Sequence, residues 1–110
     1  MKKFLLGLVL SFFFYEISLS NDYIVIDVRS KTELSQGYIE NSFNIPLQEI
    51  NTRIENIVNS KNKKIFLYCR SGRRSGIVKT SLESLGYSNV INAGGMIDAS
   101  NLLNLRIIKN

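Results

Sequence analysis

The chain has 110 residues, of which 45% are hydrophobic, and a formal net charge of +5 at neutral pH. This length supports one modest hydrophobic core and excludes two independent domains. Histidine is absent, which excludes a Cys-His dyad, a Ser-His-Asp triad and a histidine-based zinc site. If Cys69 is a nucleophile, its thiolate must therefore be stabilised by dipoles and arginines rather than made by a neighbouring base.

Residues 1–20, MKKFLLGLVLSFFFYEISLS, have the layout of a secretory signal peptide, with two lysines, an apolar block and small residues at the end. A membrane anchor is the alternative, but the block from Phe4 to Tyr15 holds about a dozen residues where a spanning helix needs roughly 20. We therefore expect cleavage after Ser20 and an exported, periplasmic or secreted domain over residues 21–110, with no membrane attachment. Export argues against nucleic acid as a partner, and the basic surface favours small anions.

The first half of the mature chain predicts two strands and a helix. The run YIVIDV (Tyr23 to Val28) is β-branched almost throughout, which is typical of a strand covered on both faces of a parallel sheet. A second short strand is predicted over Ser42 to Ile45, before the only proline. Apolar residues then recur at helical spacing and predict an amphipathic helix: Leu47, Ile50, Ile54, Ile57 and Val58.

The second half continues the alternation of strand and helix. KIFLYC (64–69) predicts a third strand, and NVINAGG (89–95) a short strand that ends in a glycine turn. Between them Ser75 is a candidate helix cap, Gly86 a stop, and the apolar face consists of Ile77, Val78, Leu82 and Leu85. A last helical segment is predicted over 96–105. This order predicts an α/β fold with a mainly parallel central sheet flanked by helices.

Cys69 is the only cysteine, and it stands where the third strand ends. Exported domains normally carry paired cysteines, so a single thiol is either a buried inert residue or a reactive one. The loop after it can turn its backbone N–H groups inward, because Gly72 tolerates a positive φ. Such an anion-binding loop at a helix start lowers the pKa of a cysteine and stabilises an anion attached to its sulfur.

The spacing of the arginines after Cys69 separates two chemistries. Cysteine-dependent phosphatases place an arginine six positions after the cysteine, and that position here is Ser75. The arginines instead stand one, four and five positions after it, as Arg70, Arg73 and Arg74. The loop is thus one residue too short to enclose a phosphate and better suits a sulfur atom carried on the thiolate.

Five stretches together carry a resemblance to a known family: IDVRS (26–30), ELSQGYIENSFNIP (33–46), YCRSGRRSG (68–76), LGY (85–87) and NAGG (92–95). In this order and spacing the sequence resembles the rhodanese family, specifically its small, exported, single-domain thiosulfate sulfurtransferases. The resemblance implies one rhodanese domain over residues 21–110, with no cofactor and no metal. A monomer is expected.

The resemblance also implies a chemistry. Cys69 would take the outer sulfur of thiosulfate or a similar small anionic donor as a persulfide and pass it to cyanide or a thiol. The loop would bind substrate and cradle that sulfur, through Arg70, Ser71, Gly72, Arg73, Arg74 and Ser75, with Arg70 and Arg74 chosen for binding the donor anion. A non-catalytic rhodanese-like module that carries sulfur or binds a partner is the alternative, and a cysteine phosphatase or arsenate reductase is a third reading.

Asp27 and Arg29 match the D-x-R pair that ends the first strand in this family. They have two interpretations. One is a structural ion pair, in which Arg29 meets Glu33 near the first helix. The other is a supporting role at the active site, for which Asp27 is the stronger candidate because we expect it near the rim of the pocket.

Overall fold

Six β-strands and three α-helices make up residues 22–109, the part of the chain that the computed structural model describes. The strands are β1 (Tyr23–Asp27), β2 (Tyr38–Ile39), β3 (Phe43–Asn44), β4 (Lys64–Cys69), β5 (Val90–Gly95) and β6 (Ile107–Ile108). The helices are α1 (Ile50–Ile57), α2 (Arg73–Ser84) and α3 (Met96–Leu103), and short 3-10 helices cover Lys31–Gln36 and Leu47–Glu49. The predicted signal peptide, residues 1–20, lies outside the described residues and stays a prediction.

Four of the strands form a parallel sheet in the order β3-β1-β4-β5. Parallel neighbours cannot be joined by a tight hairpin and need a crossover, which is usually a helix. Here α1 connects β3 to β4, and α2 connects β4 to β5. The predicted α/β fold, with a parallel central sheet flanked by helices, is confirmed.

Both faces of this sheet are covered. On one face α1 and α2 pack through Ile54 and Leu82 against Leu67 of β4. On the other face α3 packs through Ala99 over Tyr68, beside the small antiparallel pair formed by β2 and β6. Because side chains on both faces are buried, consecutive residues of β1 and β4 are apolar, which explains the unbroken runs seen in the sequence.

Helix α2 begins earlier than predicted. Its N-cap is Gly72, with φ of 94°, and its first residue is Arg73. A positive φ is open to glycine and strained for residues with a side chain, so the turn into the helix occurs at the glycine. The prediction that Ser75 caps the helix is wrong: Ser75 lies in the first turn, fully buried, with its hydroxyl 3.1 Å from the carbonyl oxygen of Gly72.

The apolar face of α2 is also narrower than predicted. Val78 and Leu82 are fully buried, whereas Ile77 and Leu85 are 46% and 38% exposed. Residues four apart share one face of a helix, so Val78 and Leu82 suffice to bury α2 against the sheet. The helix ends at Ser84, as expected from Gly86.

The remaining elements follow the prediction with shorter bounds. The strand predicted over 42–45 is confined to the two residues of β3, and the helix predicted over 96–105 is α3. After α3 the chain returns so that Ile108 of β6 pairs with Tyr38 of β2. No helix within residues 22–109 is long and apolar enough to cross a membrane.

Candidate active site

Cys69 is the last residue of β4, and its thiol lies at the carboxyl end of the parallel sheet with 0% of the residue exposed. The neighbouring strands hold it in place, since Cys69 is opposite Gly95 of β5 and Tyr68 is opposite Asp27 of β1. In open α/β sheets ligands bind beyond the carboxyl ends of the strands. Cys69 therefore stands where a ligand is expected.

Hydrogen-bond donors converge on the sulfur of Cys69. The Gly72 N–H donates to Sγ across 2.9 Å, and the Ser75 hydroxyl oxygen lies 3.7 Å from it. Burial raises the pKa of Cys69, but hydrogen bonds from the Ser75 N–H and hydroxyl and from the N–H groups of Ser71 and Gly72 outweigh it. The pKa is therefore lower than that of an ordinary cysteine. The loop favours the thiolate without a neighbouring base.

The glycines of β5 form a wall against which the Cys69 loop packs. A Cβ atom on Gly95 would lie 2.6 Å from the carbonyl oxygen of Arg70, and one on Gly72 would lie 3.1 Å from Cα of Gly94. The first distance is shorter than atoms tolerate, so a side chain at position 95 would displace the loop. The NAGG stretch thus sets how closely the loop lies against the sheet.

The loop arginines have different surroundings. Arg74 donates two hydrogen bonds to the carboxylate of Glu33, at 2.7 and 3.0 Å. These bonds raise the pKa of Arg74, and the charge of Cys69 adds to the effect. Arg70 and Arg73 are exposed, as is Ser71. Of the predicted loop residues, the structure therefore places Gly72 and Ser75 against the sulfur and Arg70, Ser71 and Arg73 at the surface.

A cavity of about 470 Å³ opens beside the loop. It is lined by Arg29, Gln36, Arg70, Gly95, Met96, Ile97 and Asp98. Arg70 is the one loop arginine in this lining. The cavity thus brings together one loop arginine, Arg70, and Gly95, the residue opposite Cys69 on β5.

Glu33 lies between Ser30 and Arg74. The hydrogen bond from Arg74 is the main reason that the pKa of Glu33 falls to about 2, and hydrogen bonds from the hydroxyl and N–H of Ser30 lower it further. Glu33 is therefore ionised over the whole neutral range. The predicted contact of Arg29 with Glu33 is wrong, because Glu33 accepts from Arg74, and Arg29 pairs with Asp27.

The pair formed by Asp27 and Arg29 is buried. Nη2 of Arg29 donates to Oδ2 of Asp27 and to the carbonyl oxygen of Gly37, both at 2.7 Å, and Nε donates to Oδ1 at 3.0 Å. Asp27 is 0% and Arg29 2% exposed. The expectation that Asp27 lies at the rim of the pocket is wrong, because both of its carboxylate oxygens are bound by Arg29.

Asn92, which the sequence patterns did not single out, lies between the Cys69 loop and the glycine turn. Its Nδ2 donates to the carbonyl oxygen of Gly72 at 3.0 Å, and its Oδ1 accepts from the Gly94 N–H at 2.9 Å and from the Ser75 hydroxyl at 2.7 Å. The available signal was an amide side chain before two glycines at a strand end. Its loop partners are 17 and 20 residues away, beyond the reach of a local pattern.

Comparisons with known proteins agree with this arrangement. The profile of the rhodanese-like domain family matches residues 14–99. The thiosulfate sulfurtransferase PspE of Escherichia coli is 42% identical over 73 residues, which cover 66% of this chain and 70% of that protein. A sulfurtransferase of Allochromatium vinosum is 34% identical over 80 residues, which cover 73% of each chain.

A solved structure points the same way. A rhodanese with anions from E. coli superposes with a TM-score of 0.73 at 36% identity, covering 80% of this chain and 99% of that one. The sheet order, the position of Cys69 and these matches agree: the chain belongs to the rhodanese-like sulfurtransferase family.

Proposed function

We propose that this protein is a thiosulfate sulfurtransferase in which Cys69 carries the transferred sulfur as a persulfide. The observation that carries the proposal is the Gly72 N–H, which lies 2.9 Å from the Cys69 sulfur at the carboxyl end of the sheet. A donor so placed stabilises the thiolate of Cys69, which is the attacking group in the first step and the leaving group in the second. The name of the E. coli relative, a thiosulfate sulfurtransferase, supports the same donor.

In the first half-reaction the Cys69 thiolate attacks the outer sulfur of thiosulfate. A new S–S bond forms on Cys69 while the S–S bond of thiosulfate breaks, and its electron pair leaves with sulfite. The charge balances, because a thiolate and a dianion become a persulfide anion and a dianion. The reaction is nucleophilic catalysis, which divides one transfer into two lower barriers.

In the second half-reaction an acceptor attacks the outer sulfur of the persulfide. Cyanide takes up this sulfur and becomes thiocyanate, whereas a thiolate acceptor becomes a persulfide. In both cases the S–S bond to Cys69 breaks, and its electron pair stays on Cys69, which becomes a thiolate again. The backbone N–H groups from Arg70 to Ser75 hold the outer sulfur between the two steps. No external oxidant or reductant is required.

The positive charges of Arg70 and Arg74 are not equally available to the anionic donor. Arg70 lines the cavity beside the loop and is exposed, so its charge is available to thiosulfate. Arg74 is neutralised by Glu33 in the structure and binds the donor only to the extent that this ion pair opens. The anions found with the related E. coli rhodanese are consistent with an anion-binding site in this fold.

The direct test is thiocyanate formation from thiosulfate and cyanide by the purified protein. We expect turnover by the wild-type protein and none above background for Cys69→Ala or the nearly isosteric Cys69→Ser. Aryl phosphate offered to the same preparations tests the phosphatase alternative, and we expect no hydrolysis. Thiocyanate formation that survives both substitutions would remove Cys69 as the nucleophile, while a folded wild-type protein without turnover would favour the non-catalytic module.

Export and a monomeric state complete the proposal. Cleavage after Ser20 would leave a mature domain that begins at Asn21, without a membrane anchor. N-terminal sequencing of the protein recovered from a bacterial periplasmic extract tests the cleavage, and a chain that begins at Met1 in the membrane fraction would contradict it.

A further inference from the structure

The side-chain amide of Asn92 can take only one of its two orientations. Nδ2 faces the carbonyl oxygen of Gly72 at 3.0 Å, and Oδ1 faces the N–H of Gly94 at 2.9 Å. If the amide were flipped, its oxygen would face the carbonyl oxygen of Gly72 and its NH2 group would face the N–H of Gly94, and neither contact could be a hydrogen bond. Because Oδ1 only accepts, the 2.7 Å contact between it and Ser75 is a hydrogen bond that the Ser75 hydroxyl donates.

This bond uses the single hydrogen of the Ser75 hydroxyl. While the hydrogen points to Asn92, the Ser75 oxygen presents lone pairs to Sγ of Cys69, which is 3.7 Å away. In that state the oxygen can accept from a neutral S–H but cannot donate to a charged sulfur. The carbonyl oxygen of Gly72 is a further acceptor for this hydrogen, at 3.1 Å, but the Asn92 oxygen is nearer at 2.7 Å. The sulfur of Cys69 thus competes for one hydrogen chiefly with the amide oxygen of Asn92.

We propose that Asn92 is a positioning residue that controls, through the hydroxyl hydrogen of Ser75, how strongly the loop stabilises negative charge on the Cys69 sulfur. The hydrogen points to Asn92 when Cys69 is a neutral thiol and turns to the sulfur when Cys69 is a thiolate or a persulfide anion. Only the hydroxyl rotates, and Asn92 keeps its bonds to Gly72 and Gly94 throughout. The inference rests on the proposed function only in naming the persulfide, since the thiolate makes the same demand.

Charged groups on the elements around Cys69 also influence how readily its sulfur becomes negatively charged. They are Arg74 on α2 with its partner Glu33, the buried pair of Asp27 and Arg29 at the end of β1, Asp98 on α3, which accepts from the Gly95 N–H at 3.3 Å, and the exposed loop residues Arg70 and Arg73. Tyr68 stays neutral, because burial raises its pKa to about 12. None of these groups changes in the variants below, so differences between them report the hydroxyl hydrogen and its acceptor.

The test is the pH dependence of the alkylation rate of Cys69 by iodoacetamide, a neutral probe, in the purified full-length protein. Ser75→Ala removes the donor, so we expect the midpoint of the rate profile to move to higher pH and the rate below the midpoint to fall about tenfold. Asn92→Ala removes the nearer competing acceptor and leaves the Gly72 carbonyl oxygen at 3.1 Å, so we expect the midpoint to move to lower pH and the rate below it to rise about threefold. The opposite signs distinguish this arrangement from loosening of the loop, which would slow both variants.

The double variant Ser75→Ala with Asn92→Ala completes a double-mutant cycle. Without the hydroxyl, Asn92→Ala should no longer accelerate alkylation. Equal effects of Asn92→Ala with and without the Ser75 hydroxyl, or a slower reaction when the hydroxyl is present, would overturn the proposal.

The isosteric Asn92→Asp replaces Asn92→Ala if the latter fails to fold. A carboxylate binds the Ser75 hydrogen more firmly than an amide does, so Asn92→Asp must slow alkylation more in the protein that keeps Ser75 than in the Ser75→Ala background. An equal slowing in the two backgrounds overturns the proposal.

Alkylation needs no sulfur donor, so this experiment separates the inference from the proposed function. A protein that forms no thiocyanate but shows the coupling between Asn92 and Ser75 retains the inference and loses the sulfurtransferase proposal. A protein that forms thiocyanate but shows no coupling between Asn92 and Ser75 retains the sulfurtransferase proposal and loses the inference about Asn92.

Discussion

Two ion pairs stand beside the Cys69 loop, and they differ in burial. The side chains of Asp27 and Arg29 are 0% and 2% exposed, whereas those of Glu33 and Arg74 are 21% and 31% exposed. Breaking a buried pair leaves a charge without water or partner, while a pair open to water is opened at little cost. The buried pair of Asp27 and Arg29 therefore fixes the geometry of the strand end. The partly exposed pair of Glu33 and Arg74 is the one that we expect an anionic ligand to rearrange.

The contacts of the buried pair explain its place in the fold. Arg29 also donates to the carbonyl oxygen of Gly37, and the side chain of Asn44 donates to the carbonyl oxygens of Asp27 and Arg29 at 3.0 and 2.9 Å. These bonds join the end of β1 to the start of β2 and to β3. Since Asp27 is opposite Tyr68, the residue before Cys69, the pair supports the strand end from which the loop starts.

The largest effect that we predict follows from breaking the buried pair. Arg29→Ala leaves the Asp27 carboxylate unpaired and should lower the free energy of unfolding by about 3–5 kcal/mol. Urea denaturation measures the change. The matched control is Arg53→Ala, which removes an arginine from an exposed pair with Glu49 and should change stability by less than about 0.5 kcal/mol. Similar losses in the two variants would show that burial does not distinguish the pairs.

A smaller effect distinguishes the loop arginines. Arg70→Ala should raise the KM for thiosulfate about tenfold and weaken its salt dependence, because Arg70 lines the cavity and has no ion-pair partner within residues 22–109. Arg74→Ala should weaken thiosulfate use in the same direction by a smaller factor, because Glu33 already offsets its charge. Steady-state kinetics at several ionic strengths test this order, with Arg53→Ala as the control for net charge. A larger effect of Arg74→Ala would place the free cation at Arg74 instead.

The smallest effect concerns stability and pH. The pKa of Glu33 is lowered to about 2 in the folded protein, so its ionised form stabilises the fold above pH of about 4.5, and this stabilisation is lost as the pH falls towards 2. Exposure to water limits the contribution to about 1 kcal/mol. Glu33→Gln should therefore be less stable than the wild type at pH 7 in urea denaturation and equal to it near pH 2. A stability difference that is independent of pH would mean that Glu33 acts by packing or capping alone.

Much of the fold could be predicted from the sequence, because its signals are local. The run from Lys64 to Cys69 is apolar at nearly every position, and such a run specifies a strand buried on both faces wherever it occurs. Alternation of such runs with helical spacing then leaves few topologies other than a parallel sheet with crossover helices. The position of Cys69 at a strand end follows from the same reasoning.

The partners of charged side chains could not be predicted in this way. Arg74 and Glu33 are 41 residues apart, and from the sequence alone any of the three loop arginines could be the partner of this carboxylate. The choice depends on the hand of the turn at Gly72 and on the side-chain rotamers, which are set by the assembled fold. The predicted start of α2 is wrong for a related reason: Ser75 has the chemistry of a cap, but the turn requires the positive φ of Gly72.

The most direct test of the sulfur-carrier role of Cys69 is the intact mass of the purified protein before and after thiosulfate, and again after cyanide. We predict a gain of one sulfur atom on the wild-type protein, complete removal of that atom by cyanide, and no gain on Cys69→Ala. A wild-type protein that is folded, has a free thiol and gains no sulfur from thiosulfate would contradict this role.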